Sequence, residues 1–173
     1  MTKSLWGDVN IKSTNENFSR PVVCIIGPTA SGKSQLALEL CRKGVFKNPE
    51  IISMDSAQIY KQIDIATSKP NKIEQAEIKH HLIDICDPKE TYSVNQFIFD
   101  TTKLIKRIQD RNGTPLIVGG TMMYFNRLQN GMHKAPKISM DVRNQILTEG
   151  EKVGWMSMHK RLKNIDPHLA TRI

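Results

Sequence analysis

Apolar residues in this chain come in short dense runs, separated by polar breaks that carry glycine or proline. Residues 22–26 form a β-branched run ending at Gly27, the profile of a buried parallel strand. Leu36, Ala37, Leu38 and Leu40 then suit a helix that stops near Gly44. Asn48-Pro49 punctuates the chain before a second apolar run, 51–54, which ends at Asp55. Residues 81–85 read as a third strand closed by Asp87-Pro88, with Asp84 inside it. Ser93 and Gln96 make a capping-box pair, and Val94, Phe97, Ile98, Leu104, Ile105 and Ile108 continue as a helical stripe to Asn112-Gly113. Residues 115–118 predict a fourth strand. Gly119-Gly120-Thr121 turns the chain into a short helix from Met122 to about Gln129, with Gly131 as its stop.

Strand and helix alternate throughout, which predicts an α/β fold with a parallel sheet flanked by helices. Ligands of such sheets sit at the carboxyl ends of the strands, where Gly27, Asp55 and Gly119 each follow a predicted strand. Beyond Pro136 the pattern is helix alone, through Val142, Ile146 and Leu147, then Trp155, Met158, Leu162 and Ile165. The expected division is a flexible N-terminal extension over 1–20, a core over 21–133 and a helical segment over 134–173. The chain stops in what reads as a new helix, so truncation is expected.

Length and composition fit this picture. With 173 residues, 39% hydrophobic and 24% charged, the chain has room for one full domain and the start of a second. The net charge is +8, and residues 131–173 hold eight Lys/Arg against four Asp/Glu. That surplus suits a polyanion such as nucleic acid, or is simply a solvated basic surface. Cys24, Cys41 and Cys86 are odd in number and lie within apolar runs, which points to a reducing cytosolic compartment and buried thiols. No apolar stretch approaches the ~20 residues that cross a bilayer.

Gly27-Pro28-Thr29-Ala30-Ser31-Gly32-Lys33-Ser34 matches the P-loop pattern G-x-x-x-x-G-K-[ST] in full. The glycines let the backbone curl so that successive N–H groups face phosphate oxygens at the positive end of the next helix. Lys33 supplies a point charge to the terminal phosphates, and the Ser34 hydroxyl is a ligand for Mg²⁺. The predicted fold class is therefore P-loop NTPase-like. The loop alone does not select a reaction: a kinase uses it on ATP, and a prenyl transferase can use it to hold a diphosphate that leaves from carbon. Asp55, at the next strand end, can hold Mg²⁺, accept a proton from a nucleophile, or only cap the following turn.

His80-His81 with Asp84 and Asp87 invites a metal-site reading. Adjacent strand residues point to opposite faces, however, so a hydrogen-bonded structural pair is expected instead. Met122, Met123 and Tyr124 read as helix core. Lys160, Arg161 and Lys163 can meet phosphates or form a solvated face.

The blocks G-P-T-A-S-G-K-S, D-S-A-Q-I-Y, D-I-A-T-S-K-P, H-H-L-I-D-I-C-D-P, Y-S-V-N-Q-F, V-G-G-T-M-M-Y-F and D-P-H-L-A-T-R-I occur in this order from about Pro21 to Ile173. In this ordered set the chain resembles the tRNA dimethylallyltransferases, also called tRNA isopentenyl transferases. The resemblance implies transfer of a dimethylallyl group from dimethylallyl diphosphate to N6 of the adenine at tRNA position 37, by a cytoplasmic monomer using Mg²⁺. It implies that Asp55 is the general base and that residues 29–34 lie along the diphosphate. Asp55, Ser56, Ala57, Gln58, Thr121 and Arg143 become tRNA contacts, and 134–173 the start of a helical tRNA-binding insertion. Ser34 stands where the family more usually has Thr, which keeps the hydroxyl. A further arginine expected on the diphosphate falls beyond Ile173. Two alternatives remain: a small-molecule P-loop kinase, and an inactive nucleotide- or tRNA-binding fragment.

Overall fold

The computed structural model describes residues 18, 20–65, 67–131 and 138–173. The chain divides into two compact units, Met1–Met132 and His133–Ile173. The expected flexible extension over 1–20 lies outside the described residues apart from Phe18 and Arg20. Arg20 is anchored: its guanidinium donates to the Gln109 carbonyl at 2.7 Å, and the Gln109 amide donates back to the Arg20 carbonyl at 2.8 Å.

The first unit is a parallel sheet of four strands, β1 (Val23–Ile26), β2 (Pro49–Met54), β3 (His80–His81) and β4 (Thr114–Gly119), in the order β1-β4-β2-β3. Helices α1 (Lys33–Arg42), α2 (Lys72–Glu77), α3 (Val94–Asp110) and α4 (Met122–Asn130) connect and flank it. The period-two alternation of strand side chains divides the apolar residues between the faces. Ile51, Leu116 and Val118 pack with Ala37, Leu38 and Cys41 of α1. Ile52, Met54 and Ile117 pack on the other face with Phe97, Ile98, Ile105 and Ile108 of α3 and Tyr124 and Leu128 of α4. Each large side chain buried this way contributes roughly 1.5–3 kcal/mol. β1 is only half-buried.

Three expectations fail in this unit for identifiable reasons. The third strand ends after His81, because Leu82 and Asp84 take positive φ values of 60° and 56°. The segment after it pairs with residues 58–61 instead: Asp84 N–H donates to the Gln58 carbonyl and Ile85 N–H to the Ile59 carbonyl. Asp84 therefore sits in a turn after the strand. Met122 and Met123 are exposed at 55% and 58%, and only Tyr124 of that trio is core. Ser93 does cap α3, accepting from the Gln96 N–H at 3.2 Å. The complete capping box forms at α2, where Asn71 accepts from Glu74 N–H and Glu74 accepts from Asn71 N–H.

The histidine pair is structural, as expected. His80 Nδ1 lies 2.6 Å from the Ile78 carbonyl and His81 Nε2 2.7 Å from Glu50 Oε2. Glu50 also receives Arg111 at 2.5 Å. Burial pushes its carboxyl up, but hydrogen bonds from His81 and Arg111 outweigh that and hold it below the ordinary glutamate range. No group of three or more His, Cys, Asp or Glu is arranged to hold a metal among the described residues. Cys41 and Cys86 are buried and Cys24 is half-buried; burial pushes the Cys24 thiol up to about 12.

The second unit contains α5 (Met140–Val153), α6 (Trp155–Ile165) and α7 (Pro167–Ala170). Ser139 caps α5, and the Trp155 ring lies where a Cβ on Gly150 would stand, so a larger residue there would have to displace the indole. Arg161 pairs with Glu149, while Lys160 and Lys163 are exposed. No helix among the described residues is long and apolar enough to cross a membrane.

Candidate phosphate and acceptor site

Three loops meet at the carboxyl end of the sheet. Ile26, Gly119 and Met54 lie in register across β1, β4 and β2, so the chain leaves all three strands at one level. With neighbouring strands about 4.8 Å apart, the loops after β1 and β2 start roughly 10 Å from one another, with the β4–α4 turn between them.

The first loop is the P-loop. Ala30 and Gly32 take positive φ values of 62° and 79°, which curls the backbone back before α1 begins at Lys33. Ser31 N–H donates to the Pro28 carbonyl at 3.3 Å, closing the turn. Pro28, Thr29, Ala30, Ser31, Gly32 and Ser34 are exposed, while Gly27 and Lys33 are half-buried. The Lys33 ammonium donates to the Pro28 carbonyl at 2.9 Å, so the cation lies within the loop. No side chain caps α1 and its first turn carries no acid, so its positive end meets an anion without competition.

The second loop carries Asp55. Its Oδ1 accepts from the Ala57 and Gln58 N–H groups at 2.9 and 3.3 Å, so the turn-capping job is realised with one carboxylate oxygen. Ser56 N–H donates to Thr121 Oγ1 at 3.1 Å, and Thr121 N–H donates to the Met54 carbonyl at 3.3 Å. Gln58 turns inward: its amide donates to the Thr67 carbonyl at 3.1 Å and accepts from Ser53 Oγ at 2.9 Å. Asp55 also bears on Tyr124, whose phenol is raised first by burial, then by Tyr60 and the Asp55 charge.

The third loop joins the other two. Gly119 ends β4, and it is Gly120 and Thr121 that make the turn. A Cβ on Gly120 would stand 2.9 Å from the Gly27 carbonyl and 3.7 Å from Lys33 Nζ. Residues 27–34, Asp55, Ser56, Ala57, Gln58 and Thr121 thus belong to one cluster of loops. Arg143 is exposed on α5, in the other unit. Sequence reasoning missed three residues of this neighbourhood. Gly120 and Tyr124 were readable as the close-packed turn and its aromatic support. Lys69 was not: its side chain is 3% exposed and held by Asp64 at 2.7 Å and Asp84 at 2.6 Å, two partners set by the fold. Burial would lower its ammonium, but those hydrogen bonds outweigh it and raise it.

A parallel sheet with a glycine-rich phosphate loop between its first strand and first helix defines a P-loop NTPase-like protein. Comparison with known proteins narrows the class. The IPP transferase family matches residues 58–173. A tRNA dimethylallyltransferase of Coxiella burnetii is 49% identical over 152 residues, covering 88% of this chain and 48% of that protein. One from Psychrobacter is 45% identical over 168 residues, covering 96% and 45%. A stretch of 152 residues leaves out at most 21 of 173, so it takes in both the P-loop and Asp55. Among solved structures, the full-length tRNA isopentenylpyrophosphate transferase of Bacillus halodurans superposes with a TM-score of 0.62 at 37% identity, covering 88% of this chain and 50% of that one. A eukaryotic dimethylallyltransferase acting on tRNA gives 0.73 at 33% identity, covering 88% and 37%. The chain belongs to the IPP transferase family. It spans about half the length of the curated relatives it matches.

Proposed function

We propose that this chain carries the donor-binding and proton-accepting parts of a tRNA dimethylallyltransferase. In this reading the protein transfers dimethylallyl from its diphosphate to N6 of the adenine at position 37, beside the anticodon. The observation that carries the reading is the meeting of a P-loop and Asp55 at one sheet end, in a chain of this family.

The P-loop amides and Lys33 grip the diphosphate, and charge accumulating on the leaving oxygens strengthens that grip in the transition state. The adenine amino lone pair is delocalised into its ring, so N6 is a weak nucleophile. As the N6–C1 bond forms and the C1–O bond breaks, pyrophosphate departs and Asp55 takes the N6 proton. The Asp55 oxygen not committed to the turn is suited to that task. Ser56 and Ala57 are exposed beside it and can contact the tRNA, as can Thr121. The target base leaves its stack to reach such a pocket. Gln58 supports the loop with its side chain, so any tRNA contact it makes falls to its backbone or to a rearranged amide. Arg143 is an exposed cation on α5 suited to a phosphate.

Mg²⁺ is the expected cofactor. The exposed Ser34 hydroxyl suits it, because Mg²⁺ at such sites is held mainly by substrate phosphates and water, not by a cage of acids. When bound, it adds positive charge opposite the leaving diphosphate. Work on tRNA implies the cytoplasm, and we assign a monomer.

The test incubates the protein with dimethylallyl diphosphate, Mg²⁺ and unmodified tRNA, and analyses digested nucleosides by mass spectrometry. Prenylated adenosine is expected. ATP in place of the prenyl donor is the control for a kinase; phosphoryl transfer there, with no prenylation, would refute the proposal.

A further inference from the structure

Lys69 has no part in gripping the diphosphate or taking the proton, yet its side chain is only 3% exposed. Its ammonium has three donors and meets three acceptors: Asp64 Oδ1 at 2.7 Å, Asp84 Oδ1 at 2.6 Å and the Tyr60 carbonyl at 2.9 Å. These acceptors come from different places. Asp84 stands in the turn after β3, whose backbone pairs with residues 58–61, and Asp64 belongs to the 61–69 loop. An enclosed ion pair of this kind adds little net stability, because desolvation offsets the attraction; what it can fix is geometry.

The geometry it fixes leads to Asp55. The 61–69 loop is closed on itself by Thr67 Oγ1, which donates to the Ile63 carbonyl at 2.6 Å, and by Lys69 N–H, which donates to the Asp64 carbonyl at 3.3 Å. Its Thr67 and Ser68 carbonyls accept from the Gln58 amide at 3.1 and 3.4 Å. Gln58 in turn donates its backbone N–H to Asp55 Oδ1. From ammonium to carboxylate there are only the loop and one glutamine between. Without the cation, Asp64 and Asp84 face each other uncompensated, and the loop that holds Gln58 loses its attachment to the β3 turn.

We propose that Lys69 is a positioning residue for the Asp55 carboxylate, acting through the 61–69 loop and Gln58. The proposal rests on the reading of Asp55 as proton acceptor. Lys69 touches no reacting atom in this account. It holds the Asp55 turn at one setting, so that the free carboxylate oxygen presents a fixed direction to the incoming amine.

The test compares the parent chain with Lys69→Met, Lys69→Arg and Asp84→Asn, using amide hydrogen exchange and prenyl transfer to tRNA. In Lys69→Met, exchange protection at the Ala57 and Gln58 amides falls about tenfold or more, while Ile117 and Val118 in β4 keep theirs. Turnover falls about 10- to 100-fold with KM for dimethylallyl diphosphate within about twofold of the parent. Lys69→Arg recovers most of both, and Asp84→Asn, which keeps the ammonium and one acid, lies between. Unchanged protection at Ala57 and Gln58 overturns the proposal. So does a loss shared equally by β4, which marks a general structural role, or a change confined to KM. If the parent chain shows no prenyl transfer but the exchange response is present, the clamp is supported and the proposed transfer by this chain is what fails. If Lys69→Met does not fold, the exchange and turnover of Asp84→Asn decide the matter alone.

Discussion

Gly120→Ala probes the contact between the P-loop and the turn that carries Thr121. The added Cβ would lie 2.9 Å from the Gly27 carbonyl oxygen, and that oxygen belongs to backbone, which cannot swing aside as a flexible side chain can. Relief requires the first residue of the P-loop or the Gly120 turn to move by roughly half an ångström. Overpacking of this kind costs about 1–3 kcal/mol. For a chain of this size that is a fall in Tm of roughly 3–10 °C. The P-loop amides are aimed by the same backbone, so losing one good charge-assisted hydrogen bond costs a further ~1.5–3 kcal/mol of anion binding. Pyrophosphate affinity in the presence of Mg²⁺ should therefore fall about 10- to 100-fold by isothermal titration calorimetry. Unchanged affinity with a lowered Tm would refute the idea that this turn sets the shape of the cradle. Gly119→Ala is the companion: its Cβ runs into the Met54 carbonyl between hydrogen-bonded strands, so that variant is expected not to fold.

Three further outcomes follow from the structure. Lys33→Met removes the cation inside the loop and should weaken pyrophosphate binding by about 1.5–3 kcal/mol, measured by the same calorimetry, with little change in Tm. Glu50→Gln should cost stability mainly above the ordinary glutamate value of 4.5. The folded carboxyl is held below that value, so its contribution is fully present above it and lost as pH falls through the folded pKa; urea unfolding at neutral and acid pH should show the gap between parent and variant closing. Asn71→Ala removes the side chain that accepts from both Ile73 and Glu74 N–H, and should cost about 1 kcal/mol in the same assay without altering pyrophosphate binding.

What could be read from the sequence, and what could not, follows from the range of the interactions. The strands β1, β2 and β4 declared themselves as dense apolar runs and helices α1, α3 and α4 as apolar stripes, because each packs apolar residues against the two core clusters. α2 has no buried residue, so it left no stripe; its signal was the Asn71 and Glu74 cap. The third strand was overdrawn because Leu82 and Ile83 are buried like strand residues, although Leu82 and Asp84 adopt left-handed backbone. The P-loop was legible as a local motif whose chemistry lies in its own backbone. Asp55 was legible as a strand-end acid, but its partnership with Ala57 and Gln58 was only one of three readings. Lys69 meets Tyr60, Asp64 and Asp84 only because the chain folds back after β3, and Gly120, readable as a turn, shows its approach to Gly27 only in the fold.

In the proposed reaction gripping and proton removal fall to different groups, and Asp55→Asn separates them. Asparagine retains an oxygen to accept from Ala57 and Gln58, so the turn keeps its cap, while the basic carboxylate is gone. The decisive measurement is single-turnover prenyl transfer to tRNA, beside dimethylallyl diphosphate binding, for parent and variant. The expected result is transfer slowed about 10²–10⁴-fold with donor affinity unchanged. Full transfer by the variant, or donor binding lost together with transfer, would contradict it.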